Sequence, residues 1–120
     1  GEGRNSAYPL LSGNFNTIEM YIVNTTFIVD PSIHGKWMEF IVKKIIPRLK
    51  EEKFGPIMFT RVLSEQSDGH YTYSLQTHLA DMVEYQRYTN EVFPDYLQIA
   101  VPMFGAKVNY FTSLLKKVEY

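Results

Sequence analysis

Cysteine is absent from the 120 residues of this chain, and several classes of function are excluded with it. Without a thiol the chain can form no disulfide, no thiolate metal site and no cysteine nucleophile. No apolar run approaches the roughly 20 residues that a membrane-spanning helix needs. The P-loop, GxSxG and dinucleotide-binding motifs are missing as well. We therefore expect no bound cofactor and no metal site.

A basic excess is also missing, because 12 Lys and Arg residues stand against 13 Asp and Glu, for a formal net charge of −1. Nucleic acids and anionic membranes attract proteins through a basic surface. We therefore expect neither of them as a partner. No signal peptide is visible, so we expect the protein to be cytoplasmic.

Aromatic residues, in contrast, are plentiful: they make up 15% of the chain, with nine Tyr and eight Phe. Large amphipathic rings often line a cavity or an interface, and a tyrosine-rich sheet explains them equally well. The length and the hydrophobic fraction of 45% fit one globular domain.

Residues 1–19 differ from the rest because they are rich in Gly, Asn and Ser and show no hydrophobic period. We expect them to form an N-terminal extension, with Met20 as the natural or ancestral start of the chain. Residues 20–120 then form the domain.

The first half of this domain predicts a strand followed by a helix. Apolar and polar residues alternate from Thr17 to Val29, which is typical of a β-strand. Asp30 is suited to cap a helix and Pro31 to occupy its first turn. The amphipathic helix that follows has a stripe of apolar residues spaced by four, namely Ile33, Trp37, Ile41, Ile45 and Leu49. Pro47 must kink or restart this helix because proline lacks an N–H.

The second half predicts a hairpin, a helix and a last strand. Asp68-Gly69 between two alternating runs indicates a tight hairpin turn. The predicted elements are strands at 57–66 and 70–79, a helical region at 81–101 that is interrupted at Pro94 and ended by Gly105, and a strand at 107–118. The order β-α-β-β-α-β is that of the ferredoxin-like α+β fold. Right-handed crossovers then place both helices on one face of a four-stranded antiparallel sheet.

The other face of this sheet has no helix, and the predicted hairpin assigns side chains to it. With Asp68 and Gly69 as the two loop residues, Arg61 lies opposite Gln76 and Phe59 opposite His78, while Met58 is placed under the helices. The helix-free face then combines apolar and hydrogen-bonding groups, as in a ligand pocket or a semi-polar dimer interface. The candidate ligand-binding residues are Asn24, Thr26, Phe59, Arg61, Ser74, Gln76 and His78. The pattern of the fourth strand leaves open which of its sides lines this face.

His78 is the candidate for catalysis, as an acid or base that titrates near neutral pH, although a lone histidine on a strand is more often structural. His70 and His78 are about 26 Å apart along a strand that rises ~3.3 Å per residue, so a shared metal ion is not expected. Arg61 is suited to bind a carboxylate through its planar fork of donors. A surface position or a salt bridge between subunits is the simpler interpretation of Arg61.

Four pieces of the sequence resemble a known family: YIVNTTFIVDPSIHGKW at 21–37, the Ile46-Pro47 step, YSLQ at 73–76, and the segment 104–115. The chain is similar to a bacterial family of short proteins that carries only a domain-of-unknown-function label. That family in turn resembles the dimeric α+β barrels, in which two sheets face each other across a two-fold axis. The superfamily includes cofactor-free monooxygenases acting on aromatic polyketides, haem-degrading enzymes and simple binding proteins. Asn24 sits comparably to a strand-one Asn that some haem degraders use.

Two functions follow as expectations for a homodimer that buries these faces. The first is a non-catalytic binding or regulatory domain that holds a small, partly apolar ligand near Asn24, Arg61, Gln76 and His78, and an acidic ligand is one of the alternatives. The second is a cofactor-independent monooxygenase acting on an aromatic substrate, with His78 as base and Asn24 orienting oxygen. The first is favoured because the sequence offers no poised acid–base pair.

Overall fold

The computed structural model describes residues 20–64 and 68–120. The N-terminal extension that we predicted at 1–19 therefore lies outside the described residues, as do the predicted start of the first strand and residues 65–67 of the hairpin connection. The described chain forms one four-stranded antiparallel sheet with two long, interrupted helices on one of its faces. The ferredoxin-like α+β prediction is confirmed.

The sheet consists of β1 (Tyr21–Val29), β2 (Ile57–Arg61), β3 (Tyr71–Leu79) and β4 (Val108–Lys116). Their order across the sheet is β2-β3-β1-β4, and each neighbouring pair is antiparallel. Every second residue of β1 from Val23 to Val29 faces the helices and is buried. Thr25 is among them and bonds to the hydroxyl of Thr112 at 3.0 Å, so the buried hydroxyl is satisfied.

The first helical region begins as predicted at Asp30, whose Oδ1 accepts a hydrogen bond from the Ser32 N–H at 2.8 Å. A 3₁₀ turn at Pro31–Ile33 leads into α1 (His34–Phe40), a π turn at Ile41–Ile45 and α2 (Ile46–Glu51). The predicted stripe is confirmed, since Trp37, Ile41 and Leu49 are fully buried. The restart expected at Pro47 is present as the π turn directly before α2.

The second helical region follows the same plan. It contains α3 (Met82–Arg87), a π turn at Tyr88–Val92 and α4 (Phe93–Phe104). Asp81 caps it by accepting from the Glu84 N–H, while the Glu84 carboxylate accepts from the Ala80 N–H, which is a reciprocal N-terminal cap. Gly105 ends it at a φ of 55°, a backbone region that side chains disfavour. No helix in the described ranges is long and apolar enough to cross a membrane.

The hairpin prediction is wrong in its register. Phe59 lies opposite Leu75 and Arg61 opposite Tyr73, three positions away from the pairing that a two-residue Asp68-Gly69 loop requires. An odd shift moves every side chain of a strand to the other face. The physical reason is packing: this register places the Phe59 ring 5.3 Å from that of Tyr73 and 6.2 Å from that of Trp37. The strand accordingly ends at Arg61, well before the predicted turn.

Candidate functional site

The sequence predicts a ligand site on the face of the sheet opposite both helices. We call it the helix-free face. Its strand residues are Ile22, Asn24, Thr26 and Ile28 on β1, Met58 and Thr60 on β2, Thr72, Ser74, Gln76 and His78 on β3, and Asn109, Phe111, Ser113 and Leu115 on β4. The open question about the fourth strand is thereby answered.

Five of the seven candidate ligand-binding residues share this face, namely Asn24, Thr26, Ser74, Gln76 and His78. Phe59 and Arg61 do not, because the corrected register turns both toward the helices. Met58, which the hairpin prediction placed under the helices, is on the helix-free face instead. The Arg61 guanidinium, which was the candidate group for binding a carboxylate, is therefore absent from this face.

The centre of the helix-free face consists of uncharged hydrogen-bonding groups. Asn24 lies between Gln76 on β3 and Ser113 on β4 in one cross-strand row. In the next row Thr26 lies opposite Ser74, whose hydroxyl donates to the side-chain oxygen of Asn24. That bond engages the amide oxygen and leaves its NH₂ group to donate elsewhere.

Apolar side chains border this polar centre. Met58, Phe111 and Leu115 are 57%, 56% and 40% exposed in the single chain. No strand residue of the helix-free face carries a formal charge, apart from His78 when it is protonated. A sheet face that meets water usually carries charged residues, since Lys, Glu, Arg and Asp are the residues that remain exposed. This face has the composition of a covered surface.

His78 is held in place by a close backbone contact at the end of the face. Its N–H donates to the Pro56 carbonyl, and its own carbonyl accepts from the Gly55 N–H at 2.9 Å. A Cβ at Gly55 would stand 3.0 Å from the Cβ of His78, so this approach requires glycine. Among the described residues, no side chain forms a hydrogen bond or ion pair with the His78 ring, and no three His, Asp or Glu side chains form a potential metal site.

Arg61 belongs to a different group of polar residues, on the helix side of the sheet. Its guanidinium lies over the Tyr71 ring at 4.8 Å, and the His34 ring stacks on Tyr71 at 3.9 Å. His34 Nε2 and the Tyr73 hydroxyl are 2.7 Å apart and share a hydrogen bond. Burial lowers the pKa of His34, and the positive charge of Arg61 lowers it further. No local sequence pattern predicts this pairing, because it joins residues 39 positions apart.

A cavity of about 210 Å³ lies between the two helical regions and the sheet. We call it the helix-side cavity. Its wall is apolar, with four aromatic and five aliphatic residues, namely Phe27, Ile45, Leu49, Leu75, Tyr88, Val92, Phe93, Tyr96 and Ile99. Lys44, Arg48 and Asp95 complete the lining. Sequence reasoning missed this site because it interpreted Ile45 and Leu49 only as part of the buried stripe of an amphipathic helix.

Both π turns contribute to this cavity, and both directly precede a proline helix start. The Ile46 N–H bonds to the Ile41 carbonyl, and the Phe93 N–H bonds to the Tyr88 carbonyl, each five residues back. Such turns are often found at functional sites. The Ile46-Pro47 and Phe93-Pro94 steps are the sequence signal that could have located the cavity.

Three solved structures illustrate what the fold resembles. A protein of unknown function from Nitrosomonas europaea has a TM-score of 0.57 and 12% identity, covering 86% of this chain and 95% of that chain. A dimeric ferredoxin-like protein from an uncultured marine organism has a TM-score of 0.56 and 13% identity, covering 85% and 98%. A dimeric ferredoxin-like protein of unknown function from Thermobifida fusca has a TM-score of 0.53 and 16% identity, covering 80% and 92%. At these identities the similarity shows the fold alone.

Comparison of sequences adds one finding. A family model described as a domain of unknown function matches residues 20–118, which is nearly the whole described domain. Among the curated proteins, none matches this chain.

Proposed function

The chain belongs to this domain-of-unknown-function family, DUF4286, and from its geometry we propose a homodimeric domain that binds a small molecule between two facing sheets. The observation that carries the proposal is the composition of the helix-free face. Its strand residues carry no formal charge except on a protonated His78, and they expose Met58, Phe111 and Leu115. Burying such a surface against a second copy removes apolar area from water. Two of the fold relatives are described as dimeric, which supports the same assembly.

The expected interface is large. Obligate homodimers of this kind bury on the order of 2,000 Å² or more in total. In a face-to-face dimer the exposed apolar residues at the border of each sheet pack against the partner's sheet. The polar centre around Asn24 and Gln76 then lies in the space between the sheets, away from bulk water.

The corrected register changes the ligand that this space would accept. With Arg61 on the other side of the sheet, the site offers amides, hydroxyls and one imidazole, from Asn24, Thr26, Ser74, Gln76 and His78. A carboxylate bound there would lose its hydration without gaining a fixed cation. Burying an unpaired ion costs on the order of several kcal/mol. The ligand is therefore a neutral, partly apolar molecule with amide or hydroxyl groups.

The oxygenase alternative remains the weaker proposal. An oxygenase of this kind needs a catalytic base, and such a base is usually oriented by a hydrogen bond to a second group. The His78 ring has no such partner among the described side chains. A binding or regulatory role requires only the arrangement of donors and acceptors described above.

Sedimentation velocity on the full chain tests the assembly. We expect a dimer at micromolar concentration, and a monomer after Phe111→Asp places a charge in the interface. Val83→Asp is the control, because Val83 is also an exposed apolar residue but lies on α3. A monomeric parent protein, or a Phe111→Asp variant that stays dimeric, would refute the facing-sheet assembly and leave coverage by residues 1–19 as the alternative.

Ligand chemistry is tested by thermal shift with a panel of neutral amides and alcohols and a matched panel of carboxylates. We expect stabilisation from members of the neutral panel, and its loss in Gln76→Leu. Stabilisation by carboxylates alone that survives Gln76→Leu would contradict the neutral site.

A further inference from the structure

The helix-side cavity lies across the sheet from the proposed dimer interface, and it has features of a binding site in its own right. Its volume of about 210 Å³ exceeds the ~150 Å³ of an apolar cavity that is known to bind benzene. Phe27 and Leu75 close it toward the sheet, and both are buried. A molecule with an apolar body somewhat larger than benzene therefore fits the space.

Charged residues near the cavity leave a positive surplus. Arg48 bonds to Glu52 and to Asp95, each at 2.8 Å, and Arg87 also pairs with Glu52. These two guanidiniums and two carboxylates balance each other. Lys44 lines the same cavity and forms no ion pair with a described residue, so its ammonium is the uncompensated charge.

A groove of about 690 Å³ adjoins the cavity, since Lys44 and Ile99 line both. Its other residues are Lys36, Glu39, Phe40, Lys43 and Met103. Lys43 pairs with Glu39 at 2.8 Å. Lys36 forms no ion pair with any residue in the described ranges 20–64 and 68–120, so it is a second cation that these residues do not compensate. The apolar cavity therefore opens beside a surface with net positive charge.

We propose that the helix-side cavity binds a small amphipathic carboxylate, with its apolar body against Phe27, Tyr88 and Tyr96 and its carboxylate at Lys44. Apolar walls with a few placed polar groups are typical of small-molecule sites. Lys44 supplies the charge that distinguishes an acid from an alcohol of the same shape. This site is independent of the ligand space between the sheets, where no fixed cation is present.

Sodium octanoate is the probe for this proposal, and 1-octanol is its uncharged counterpart. Trp37 is the single tryptophan of the chain, and its indole bonds to Tyr96 of the cavity wall, so tryptophan fluorescence reports on occupancy. We expect saturable binding of octanoate to the full chain. Lys44→Ala should weaken it about 3- to 5-fold, as the loss of one exposed charge contact does, and leave 1-octanol binding unchanged.

Three further variants complete the test. Lys50→Ala removes an exposed lysine on α2 that does not line the cavity, and it should leave octanoate affinity unchanged. Ile45→Phe and Ile99→Phe place a ring into the cavity from its wall and from its exposed edge, and both should abolish binding of both probes. Ile99 is half exposed, so the second variant keeps the test valid should the first not fold.

Three results would overturn the proposal. These are unsaturable octanoate binding, octanoate affinity that Ile99→Phe does not change, or equal losses for Lys44→Ala and Lys50→Ala. Because Phe111→Asp does not touch the cavity, octanoate should bind that variant as it binds the parent protein. Failure of the dimer proposal and failure of this proposal are thus distinguishable.

Discussion

Trp37 donates a hydrogen bond from its indole Nε1 to the hydroxyl oxygen of Tyr96 at 3.2 Å, and this bond joins the two helical regions above the sheet. Both rings pack on Phe27, at centroid distances of 5.2 and 5.5 Å. Burial raises the pKa of Tyr96 to about 12, so the phenol is neutral throughout the physiological range. The bond holds together the elements that form the helix-side cavity.

Tyr96→Phe removes the acceptor and leaves the buried Trp37 N–H unpaired. We expect the free energy of unfolding to fall by about 1–3 kcal/mol, the usual cost of an unsatisfied buried donor. Urea unfolding measures it, with Tyr120→Phe at a fully exposed position as the control. The loss should be smaller in a Trp37→Phe background, where no donor is orphaned. Equal losses in both backgrounds would show that the bond contributes nothing.

Gly55 should not tolerate a side chain. An alanine Cβ there would stand 3.0 Å from the His78 Cβ and 3.1 Å from the His78 carbonyl oxygen. Because one of the two contacts is with backbone, Gly55→Ala should lower stability by about 1–3 kcal/mol. Gly35→Ala is the matched control on α1, where no atom lies within 4 Å of the added Cβ, and it should stabilise by up to about 1 kcal/mol. Unfolding curves that rank the two variants the other way would contradict this packing.

Stability should depend on pH through His34. Burial and the nearby Arg61 lower the pKa of His34 in the folded state, so the unfolded chain binds a proton more readily. The stabilisation is fully present above the ordinary pKa of about 6.5 and is lost as the pH falls below it. His34→Phe keeps a ring over Tyr71 and cannot titrate, so the unfolding free energy should change less between pH 7.5 and 5. An identical slope in both proteins would exclude His34 as the source.

The corrected hairpin register predicts which β2 residue controls dimer formation. Met58→Glu places a charge on the helix-free face and should give a monomer in sedimentation velocity. Arg61→Glu reverses a charge on the opposite side of the sheet and should leave the dimer intact. A dimer that survives Met58→Glu but dissociates with Arg61→Glu would instead fit the register of a two-residue turn.

The error in that register shows where local sequence signals fail. Asp68-Gly69 is a strong turn signal, and Asp68 does form a local turn by accepting a hydrogen bond from the His70 N–H. The pairing of β2 with β3 follows instead from the burial of Phe59 against Trp37 and Tyr73. The burial of an aromatic ring outweighed the preference of two loop residues, and this contact depends on a helix that lies earlier in the chain.

The order of the elements, the cap at Asp30, the end of the second helical region at Gly105 and the two faces of β1 could be predicted from local sequence, because each depends on neighbours within a few residues. Local sequence also identified five residues of the helix-free face through the alternation of β1 and β3. The side of the sheet on which Arg61 lies and the cavity between the two π turns could not be predicted in this way and are known only from the packed fold. Both depend on the spacing between helices and strands that are distant in sequence, and a local hydrophobic period contains no information on that spacing.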